Sequence, residues 1–461
     1  MTTEHRLGTE IGRFSATVRF EDLTPDVIEK LKICLYFNLG IGIAGAVVVR
    51  DAVQAASRFP MTTGPSARVF VSGTRLAPPD AAFGNALMMH ARAQDDFQHS
   101  ANCHVGAIAT PAVLALSDWR DFDGRRFLTS LAVAYQVSTV LGDGFTALTT
   151  PRGFRASGLY ATCGTAAACA HLLGLDAVRA ANAVCLSASF ASGLGQPWVS
   201  GTDEWRLQLG HASRNGVNCA LLAEDGNNAA PDAFEGKYGF YAAHAATLPD
   251  VPALIDRLRG PWLTETVAFK PLPVCGINQG PARHAMDLAR RRVVDSDQIT
   301  SIEIQLPEED VAYPGIAATG PIRSPGAALM RSAFVVSNCL VTGQLRYRDL
   351  LHRDHPAVLS LADKCRVVVG HGLTPMSHAL NITTRDGTVH EFQYQATGKE
   401  FILSRSEIRD VFAQISDELA LPMTHIDKLE EVIWRLDGKA RANELIDALI
   451  PEHLTGQGPR A

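Results

Sequence analysis

The sequence predicts an α+β fold with a large all-helical domain, built from both chain ends, and a smaller α+β domain. Helical, Ala-rich segments fill residues 1–267, strand-like alternation appears within 268–398, and helical periodicity returns over 399–461. We expect the last segment to pack back on the first. The 461 residues, 46% hydrophobic and 20% charged, are enough for two or three domains with a large core.

The first long helix is predicted from "LTPDVIEKLKICLYFNLGIGIAGAV", where Thr24 is a suitable N-cap and Pro25 suits the first helical position. The longest apolar run, Leu39 to Val49, is shorter than the roughly 20 residues that a membrane span needs. It therefore indicates a buried helix, and we expect no membrane partner. The later Ala-rich segments suit helices that approach each other closely.

The second domain is predicted from a change of pattern near Phe269. "ITSIEIQLP" alternates like a strand, and "KCRVVVG" and "ALNITTRDGTVHEFQYQ" follow. The last of these contains Asp386-Gly387, a turn pair that predicts a hairpin. Between them, "SAFVVSNCLVTGQLRYRDLL" is helical, so strands and helices share this domain.

Charge and composition exclude several classes of function. The net charge is −6 with no Lys/Arg stripe, so nucleic acid is not expected as a partner. Neither a GxSxG elbow nor a GxGxxG turn after a strand is present, which disfavours an α/β-hydrolase or a Rossmann cofactor site. The polar start "MTTEHRLGTE" and nine scattered cysteines predict free thiols in a cytoplasmic protein.

A polar window, "HARAQDDFQHSANCHVG", lies between two apolar segments. Asp95 and His99 are four residues apart, so on a helix they would share a face. Two carboxylates close to imidazoles push pKa values apart, as acid/base chemistry at neutral pH requires. The alternative is a helix end whose Asp and His side chains only cap and hydrogen-bond.

A metal site is a further alternative for the same window. Its ligands would come from His90, Asp95, Asp96, His99, Cys103 and His104. However, neither HExxH nor a pair of CxxC motifs is present, and we predict no metal.

Three more polar segments are candidates for a binding site. Arg155 and Ser157 precede an Ala-rich helix, which suits a carboxylate or phosphate cradle or an ordinary surface arginine. Arg206 follows a Gly- and Ser-rich loop that would either close over a site or only connect helices. Lys270 lies at the predicted domain seam, where ligand clefts tend to form, although a lone lysine is more often a solvated charge.

These segments, in this order, resemble the MmgE/PrpD family, which includes 2-methylcitrate dehydratase, cis-aconitate decarboxylase and iminodisuccinate epimerase. The resemblance rests on "AAFGNALMMHARAQDDFQHSANCHVGAIATPAVLAL", "GFRASGLYATCGTAAACAHLLGL", "LQLGHASRNGVNCALLAEDG", "AFEGKYGFYAA" and "AFKPLPVCG". It implies the same two-domain fold and a homodimer without metal or organic cofactor. It also implies a small di- or tricarboxylate substrate that loses an acidic proton or CO₂ next to a carboxylate.

The resemblance also implies roles for particular residues. The matching catalytic positions are Asp95, Asp96, His104 and Lys270. The substrate-binding candidates are His99, Arg155, Ser157, Arg206 and Cys275. In this hypothesis the cations bind carboxylates and stabilise enolate-like charge, while His104 or one Asp takes a proton.

The chain departs from the family pattern at several polar positions. Family Asp, Thr, His, Lys, His and Tyr positions are occupied here by Ala93, Phe97, Arg155, Trp205, Cys275 and Phe334. Arginine binds carboxylates well but is a poor acid or base. The sequence thus predicts a cofactor-independent, dehydratase-like lyase, with an epimerase or isomerase, a decarboxylase, or a catalytically weak carboxylate-binding paralogue as alternatives.

Overall fold

The computed structural model describes residues 6–61 and 63–450, and it shows an α+β fold in which helices predominate. Before the predicted seam the helices, α1 to α13, are Leu7–Thr17, Pro25–Gly45, Arg50–Ala56, Pro78–His90, Val105–Arg120, Gly124–Gly142, Thr146–Thr149, Thr162–Leu173, Ala177–Phe190, Gln196–Ser200, Glu204–Glu224, Phe240–Ala245 and Val251–Leu258. After it, α14 to α22 are Gly276–Arg290, Glu308–Val311, Pro325–Met330, Ser332–Thr342, Tyr347–Leu351, Pro356–Ala362, Arg405–Leu419, Met423–Ile433 and Asn443–Leu449.

The strands form three small sheets. In chain order, β1 to β8 are Ala67–Arg68, Arg75–Leu76, Asp96–Gln98, Val267–Phe269, Ile299–Leu306, Cys365–Val369, His378–Thr384 and Val389–Tyr394. Two pairs, β1–β2 and β3–β4, are antiparallel. The four-stranded sheet has the order β6-β5-β7-β8, with β5 and β6 parallel and the other neighbours antiparallel.

One large core, the helical core, is formed from both ends of the described chain. Thr24 caps α2 as predicted, because its hydroxyl accepts a hydrogen bond from the backbone N–H of Val27 at 3.2 Å. Phe412 of α20 packs so closely on α2 that a Cβ at Gly40 would lie 2.2 Å from its ring. Buried residues of α21 and α22 belong to the same core, and residues 451–461 of the tail lie outside the described part.

A second core, the sheet core, lies between the four-stranded sheet and helices α14 and α17. The predicted hairpin is confirmed: β7 and β8 pair around a turn in which Gly387 has φ +83°, a conformation that favours glycine. The helical segment between β5 and β6 is also confirmed, as separate helices that include α17 and α18.

The prediction that the first domain is all-helical is wrong in one respect. Residues before the seam contain β1, β2 and β3, and β4 at Val267–Phe269 pairs with β3 across the predicted boundary. These strands cannot be predicted from the sequence, because they are two or three residues long and carry no alternating pattern. The domain limits themselves, 1–267 with 399–461 and 268–398, stay a prediction.

Two further expectations concern membranes and thiols. No single helix of the described chain is long and apolar enough to cross a membrane, although the bent pair α2 and α3, at 94°, meets the length and composition test together. All nine cysteines are free.

Candidate active site

The strand pair β3–β4 joins two distant parts of the chain at the candidate site. Asp96 pairs with Phe269 in an antiparallel register, and one step further sets Lys270 opposite Asp95. Lys270 is 1% exposed and Asp95 is fully buried. The sequence separation of 175 residues between them is therefore closed by a short ladder of backbone hydrogen bonds.

A turn after α4 brings His90 against the same carboxylate. His90 is the last residue of α4, and Ala93 then adopts φ +51°, the left-handed region that alanine rarely enters. This reversal returns the chain so that Asp95 Oδ2 lies 2.9 Å from His90 Nδ1. Backbone strain of this kind is common where a site must hold one geometry.

A second tight turn places His104. Gln98 and Cys103 exchange backbone hydrogen bonds, and Asn102 between them has φ +47°, which asparagine tolerates. His104 then precedes α5, and its backbone N–H donates to Ser157 Oγ at 3.1 Å. Ser157 begins a π-helical turn, Ser157–Ala161, that continues into α8.

These elements assemble a buried group that we name the Asp95 cluster: His90, Asp95, His104, Arg155 and Lys270. Lys270 Nζ donates to Asp95 Oδ1 at 2.9 Å and lies 3.3 Å from His104 Nδ1. Asp95 Oδ2 is 3.3 Å from His104 Nδ1. On the far side, an Arg155 guanidinium nitrogen lies 2.7 Å from His90 Nε2. The cluster is thus a continuous polar chain inside an apolar core.

The hydrogen-bond donors fix the tautomer of His90. A guanidinium can only donate, so His90 Nε2 accepts from Arg155 and His90 Nδ1 carries the proton that it donates to Asp95. Burial lowers the pKa of His90 to about 4, although Asp95 opposes the shift. His90 is therefore neutral at physiological pH and orients Asp95 rather than titrating.

The cluster keeps one negative and two positive charges. Burial favours the protonated form of Asp95, but His90 and Lys270 outweigh it and hold its pKa well below the usual range. Burial lowers the pKa of Arg155 to about 10, which leaves the guanidinium charged at neutral pH. Burial and then the nearby Lys270 ammonium hold the pKa of His104 well below its usual range. His104 is thus neutral beside a cation.

His104 is the member of the cluster that reaches the surface. Its side chain is 19% exposed, whereas Lys270 and His90 are each 1% exposed. Its Nδ1 lies 3.1 Å from the backbone oxygen of Asp96. A carbonyl oxygen can only accept, so we place the imidazole proton on Nδ1, which donates it to that oxygen. Nε2 then has a free lone pair, since no hydrogen bond joins it to the described residues. Two cavities of about 330 Å³ in the described part of the chain lie elsewhere.

Asp96 faces away from this cluster, and its catalytic role stays a prediction. Its carboxylate accepts hydrogen bonds from Asn38 Nδ2 at 2.9 Å, from the Tyr135 hydroxyl, and from the Gly106 N–H at 3.1 Å. Burial raises the pKa of Asp96 to about 6 in spite of these donors. We name Asn38, Asp96, Gly106 and Tyr135 the Asp96 cluster. It joins α2, α5 and α6 and positions the backbone oxygen that His104 contacts.

Two predicted substrate-binding residues lie in other surroundings. His99 is exposed, and it does not share a helix face with Asp95 because Asp96–Gln98 is a strand. The Arg206 guanidinium already donates to Ala91 O, to Asp203 and to the Tyr347 hydroxyl. These contacts join α11 to neighbouring segments, and substrate-binding roles for His99 and Arg206 stay predictions.

The remaining candidates lie around the cluster. Ser157 binds the backbone of His104, as described above. Cys275 is half-buried at the start of α14, and burial raises the pKa of its thiol to about 11, so it is a neutral wall group. Arg155 lies inside the cluster, but its donors are directed at His90, at Trp205 O and at Gln208. Catalytic and binding roles for these residues stay predictions.

Sequence reasoning missed two parts of the site. The sequence offers His90 only as a metal ligand, although its place at the end of a helix, five residues before Asp95, is a usable signal for a contact between them. Asn38 and Tyr135 lie in long apolar helices, where a lone buried polar residue is itself a sign of a buried partner.

The donor set fits a metal ion poorly. Ligand atoms of His90, Asp95 and His104 lie within 4.8 Å of one another, as a metal site would require. However, Nδ1 of His90 is protonated because Arg155 occupies Nε2, and a protonated nitrogen cannot ligate. The Lys270 ammonium also contacts Asp95 where a cation would bind.

The structure combines a large helical core, a small mixed sheet and a buried acid–ammonium–imidazole site. Comparison with known families identifies the class of protein to which this combination belongs. Residues 9–249 match the family model described as the MmgE/PrpD N-terminal domain. The match covers more than half of the chain, and the chain belongs to the MmgE/PrpD family.

Its curated relatives are distant. The chain is 25% identical to the cis-aconitate decarboxylase-like protein oryM of Aspergillus oryzae, over 98% of this chain and 99% of the relative. It is 25% identical to a cis-aconitate decarboxylase of Aspergillus terreus, over 77% of each chain. It is 27% identical to human cis-aconitate decarboxylase, over 62% of this chain and 61% of the relative.

Proposed function

We propose that this protein is a lyase that acts on a small carboxylate without a metal or organic cofactor. The observation that carries the proposal is the placement of Lys270 Nζ, 2.9 Å from Asp95 Oδ1 and 3.3 Å from His104 Nδ1. An ammonium held by a buried carboxylate beside a partly exposed imidazole supplies both fixed charge and proton transfer. Membership of the MmgE/PrpD family supports the same class of chemistry.

Each group has a distinct task in this proposal. Lys270 stabilises the negative charge that develops on the substrate carbon next to a carbonyl or carboxylate, and it donates a proton. His104 Nε2, with its free lone pair, accepts a proton from the substrate or from water. Asp95 keeps Lys270 protonated and in place, and His90 and Arg155 hold Asp95 from behind.

The same groups suit the two lyase reactions open to the family. In decarboxylation the bond to the carboxylate carbon breaks, CO₂ leaves, the electron pair stays on the substrate, and Lys270 protonates that carbon. In dehydration His104 takes the α-proton, and the β-hydroxyl leaves as water with a proton from Lys270. Decarboxylation is the first reaction to test, because the relatives carry that name. Epimerisation would need a proton returned to the opposite face.

A single screen tests the proposal. Purified protein is incubated with mono-, di- and tricarboxylates in D₂O and followed by NMR, which reports CO₂ loss, alkene formation and deuterium exchange together. We expect turnover of at least one compound and its loss in Lys270→Ala. Exchange without a change of skeleton would indicate the epimerase instead. Binding without any turnover would indicate the catalytically weak paralogue.

The proposal extends to assembly, location and domain division. The family resemblance supports a homodimer, which light scattering on a sizing column would test. Nine free thiols support a reducing compartment such as the cytoplasm. The helical core formed by both chain ends supports the proposed two-domain division, which limited proteolysis would test.

A further inference from the structure

The buried charges of the Asp95 cluster do not balance. Arg155 and Lys270 each carry one positive charge, Asp95 carries one negative charge, and His90 and His104 are neutral. Arg155 is 4% exposed and no described carboxylate forms an ion pair with it. An uncompensated buried charge is costly, so the empty cluster favours an anion with a single negative charge.

Two neighbouring arginines, Arg206 and Arg92, are already paired with carboxylates. Arg206 forms an ion pair with Asp203, and its other donors contact Ala91 O and Tyr347. Arg92, 1% exposed, forms an ion pair with Glu418 at 2.7 Å. Arg206 and Arg92 therefore have no unpaired charge to offer a second or third carboxylate of the substrate.

The walls beside the cluster are apolar at positions where the family resemblance implies polar groups. Phe97 follows the Asp95–Asp96 pair, is 5% exposed and packs with Ala268 and Phe401. Its ring would lie 3.7 Å from a Cβ at Gly276, at the start of α14. Trp205 is fully buried, with its ring centroid 5.0 Å from that of His90. Such walls suit an uncharged part of a ligand.

The outer rim is acidic. His99 is exposed to solvent at one side, while packing on its other side lowers its pKa. The Glu309 and Glu400 carboxylates oppose that shift, because their negative charges act on the imidazole. Asp310 of α15 follows Glu309, but burial and the Glu309 carboxylate raise its pKa to about 7, so Glu309 and Glu400 carry the negative charge of this rim. Like charges at the entrance repel a polyanion more strongly than a monoanion.

We infer that the site takes a monocarboxylate whose remaining part is uncharged, in contrast to the tricarboxylate named for the relatives. The inference rests on the proposed function, since it concerns the substrate of the same site. One carboxylate neutralises the excess charge shared by Arg155 and Lys270, and the rest of the molecule lies on the side of Phe97. In the decarboxylase reaction, the electron-accepting group of such a substrate is a carbonyl or ester rather than a carboxylate.

Three unreactive acids on one carbon skeleton test the inference: butanoate, glutarate and propane-1,2,3-tricarboxylate. Their dissociation constants are measured by calorimetry at pH 7.5 and constant ionic strength. We expect butanoate to bind most tightly and each added carboxylate to weaken binding by about tenfold. Affinity that rises with the number of carboxylates overturns the inference.

Two variants sharpen the test. Glu309→Gln removes one rim charge at an exposed position, and it should strengthen tricarboxylate binding about two- to fivefold while leaving butanoate unchanged. Arg155→Met removes the excess charge, and it should weaken butanoate about tenfold or more, whereas Arg155→Lys should retain most of the binding. If Arg155→Met does not fold, the affinities of the three acids and the effect of Glu309→Gln still test the inference.

Turnover separates failure of this inference from failure of the proposed function. If cis-aconitate is consumed in a reaction that Lys270→Ala abolishes, the protein is a lyase and the monocarboxylate inference is wrong. If no carboxylate of any charge binds or reacts, both are wrong. Turnover of a monocarboxylate together with exclusion of cis-aconitate supports both.

Discussion

Asp95 and Asp96 are neighbours in the chain, yet they belong to two regions with opposite properties. Asp95 faces the ammonium of Lys270 and two imidazoles, and its pKa lies well below the usual range. Asp96 faces Tyr135, Asn38 and a backbone N–H, and burial raises its pKa to about 6. The strand that begins at Asp96 sends successive side chains to opposite faces and so separates them.

The comparison shows that burial alone does not decide what a carboxylate does. Both residues are fully buried, and both accept hydrogen bonds. Cations and a partly exposed imidazole surround the first, which suits proton transfer, whereas neutral donors from three helices surround the second, which suits structural support. Each prediction below alters one region and uses the other as its reference.

Removing the ammonium of the Asp95 cluster should have the largest effect. Lys270→Ala leaves Asp95 buried without its cation, and we expect kcat to fall by about 10³-fold or more on whichever carboxylate the screen identifies. The matched control is Lys30→Met. Lys30 is also buried, lies 4.5 Å from the Phe269 ring centroid and has no hydrogen-bond partner for Nζ, so kcat should stay within about threefold. Equal losses in both variants would contradict the assignment.

The imidazole that reaches the surface is the next test. His104→Ala removes the proposed base, and kcat should fall by about 10²- to 10⁴-fold. Because the side chain is 19% exposed, the thermal unfolding midpoint should change little. Near-normal turnover by a folded His104→Ala protein would remove His104 from the mechanism.

The pH dependence of stability tests the neutral state of His90. Its pKa is about 4 in the fold against 6.5 ordinarily, so between these values the unfolded chain binds a proton that the folded chain does not. The free energy of unfolding should therefore fall as the pH drops from 6.5 to 4, by up to about 1.4 kcal/mol per pH unit.

His90→Gln should remove that slope, measured by urea unfolding at several pH values. Asp96, with its raised pKa, changes stability in the opposite sense, since stability falls as the pH rises from 3.8 to about 6. That contribution is present in both proteins and cancels in the difference. An identical slope in the variant would show that His90 titrates normally.

A substitution in the Asp96 cluster should lower the free energy of unfolding rather than kcat. Tyr135→Phe removes a hydrogen bond to a buried carboxylate, and we expect a loss of about 1.5–3 kcal/mol in the free energy of unfolding at pH 7.5. The control is Tyr241→Phe, which removes a hydrogen bond to the neutral Leu141 O at 2.9 Å and should cost about 0.5–1.5 kcal/mol. A smaller loss for Tyr135→Phe than for the control would argue against an ionised Asp96.

The smallest expected effect is that of a chelator. Because Nδ1 of His90 is protonated and Lys270 occupies the cation position beside Asp95, EDTA should change kcat by less than about twofold. Loss of activity that added Zn²⁺ or Fe²⁺ restores would show that the cluster binds a metal after all.

Local signals in the sequence determined much of the fold. Thr24 and Pro25 set the start of α2, and Asp386-Gly387 set the β7–β8 hairpin, because caps and turns depend on a few adjacent residues. The sequence blocks shared with the family also predict Asp95, His104 and Lys270 as site residues. All three lie in one cluster, although their catalytic roles stay predictions.

Only the tertiary structure decided which groups face each other. The β3–β4 register set Lys270 opposite Asp95 across 175 residues, and three-residue strands leave no periodic signal. The structure also turned Asp96 towards Asn38 and Tyr135, directed Arg206 to helix contacts and left His99 exposed. Which partner satisfies a buried polar group depends on the packing of distant segments, and spacing along the chain does not encode that choice.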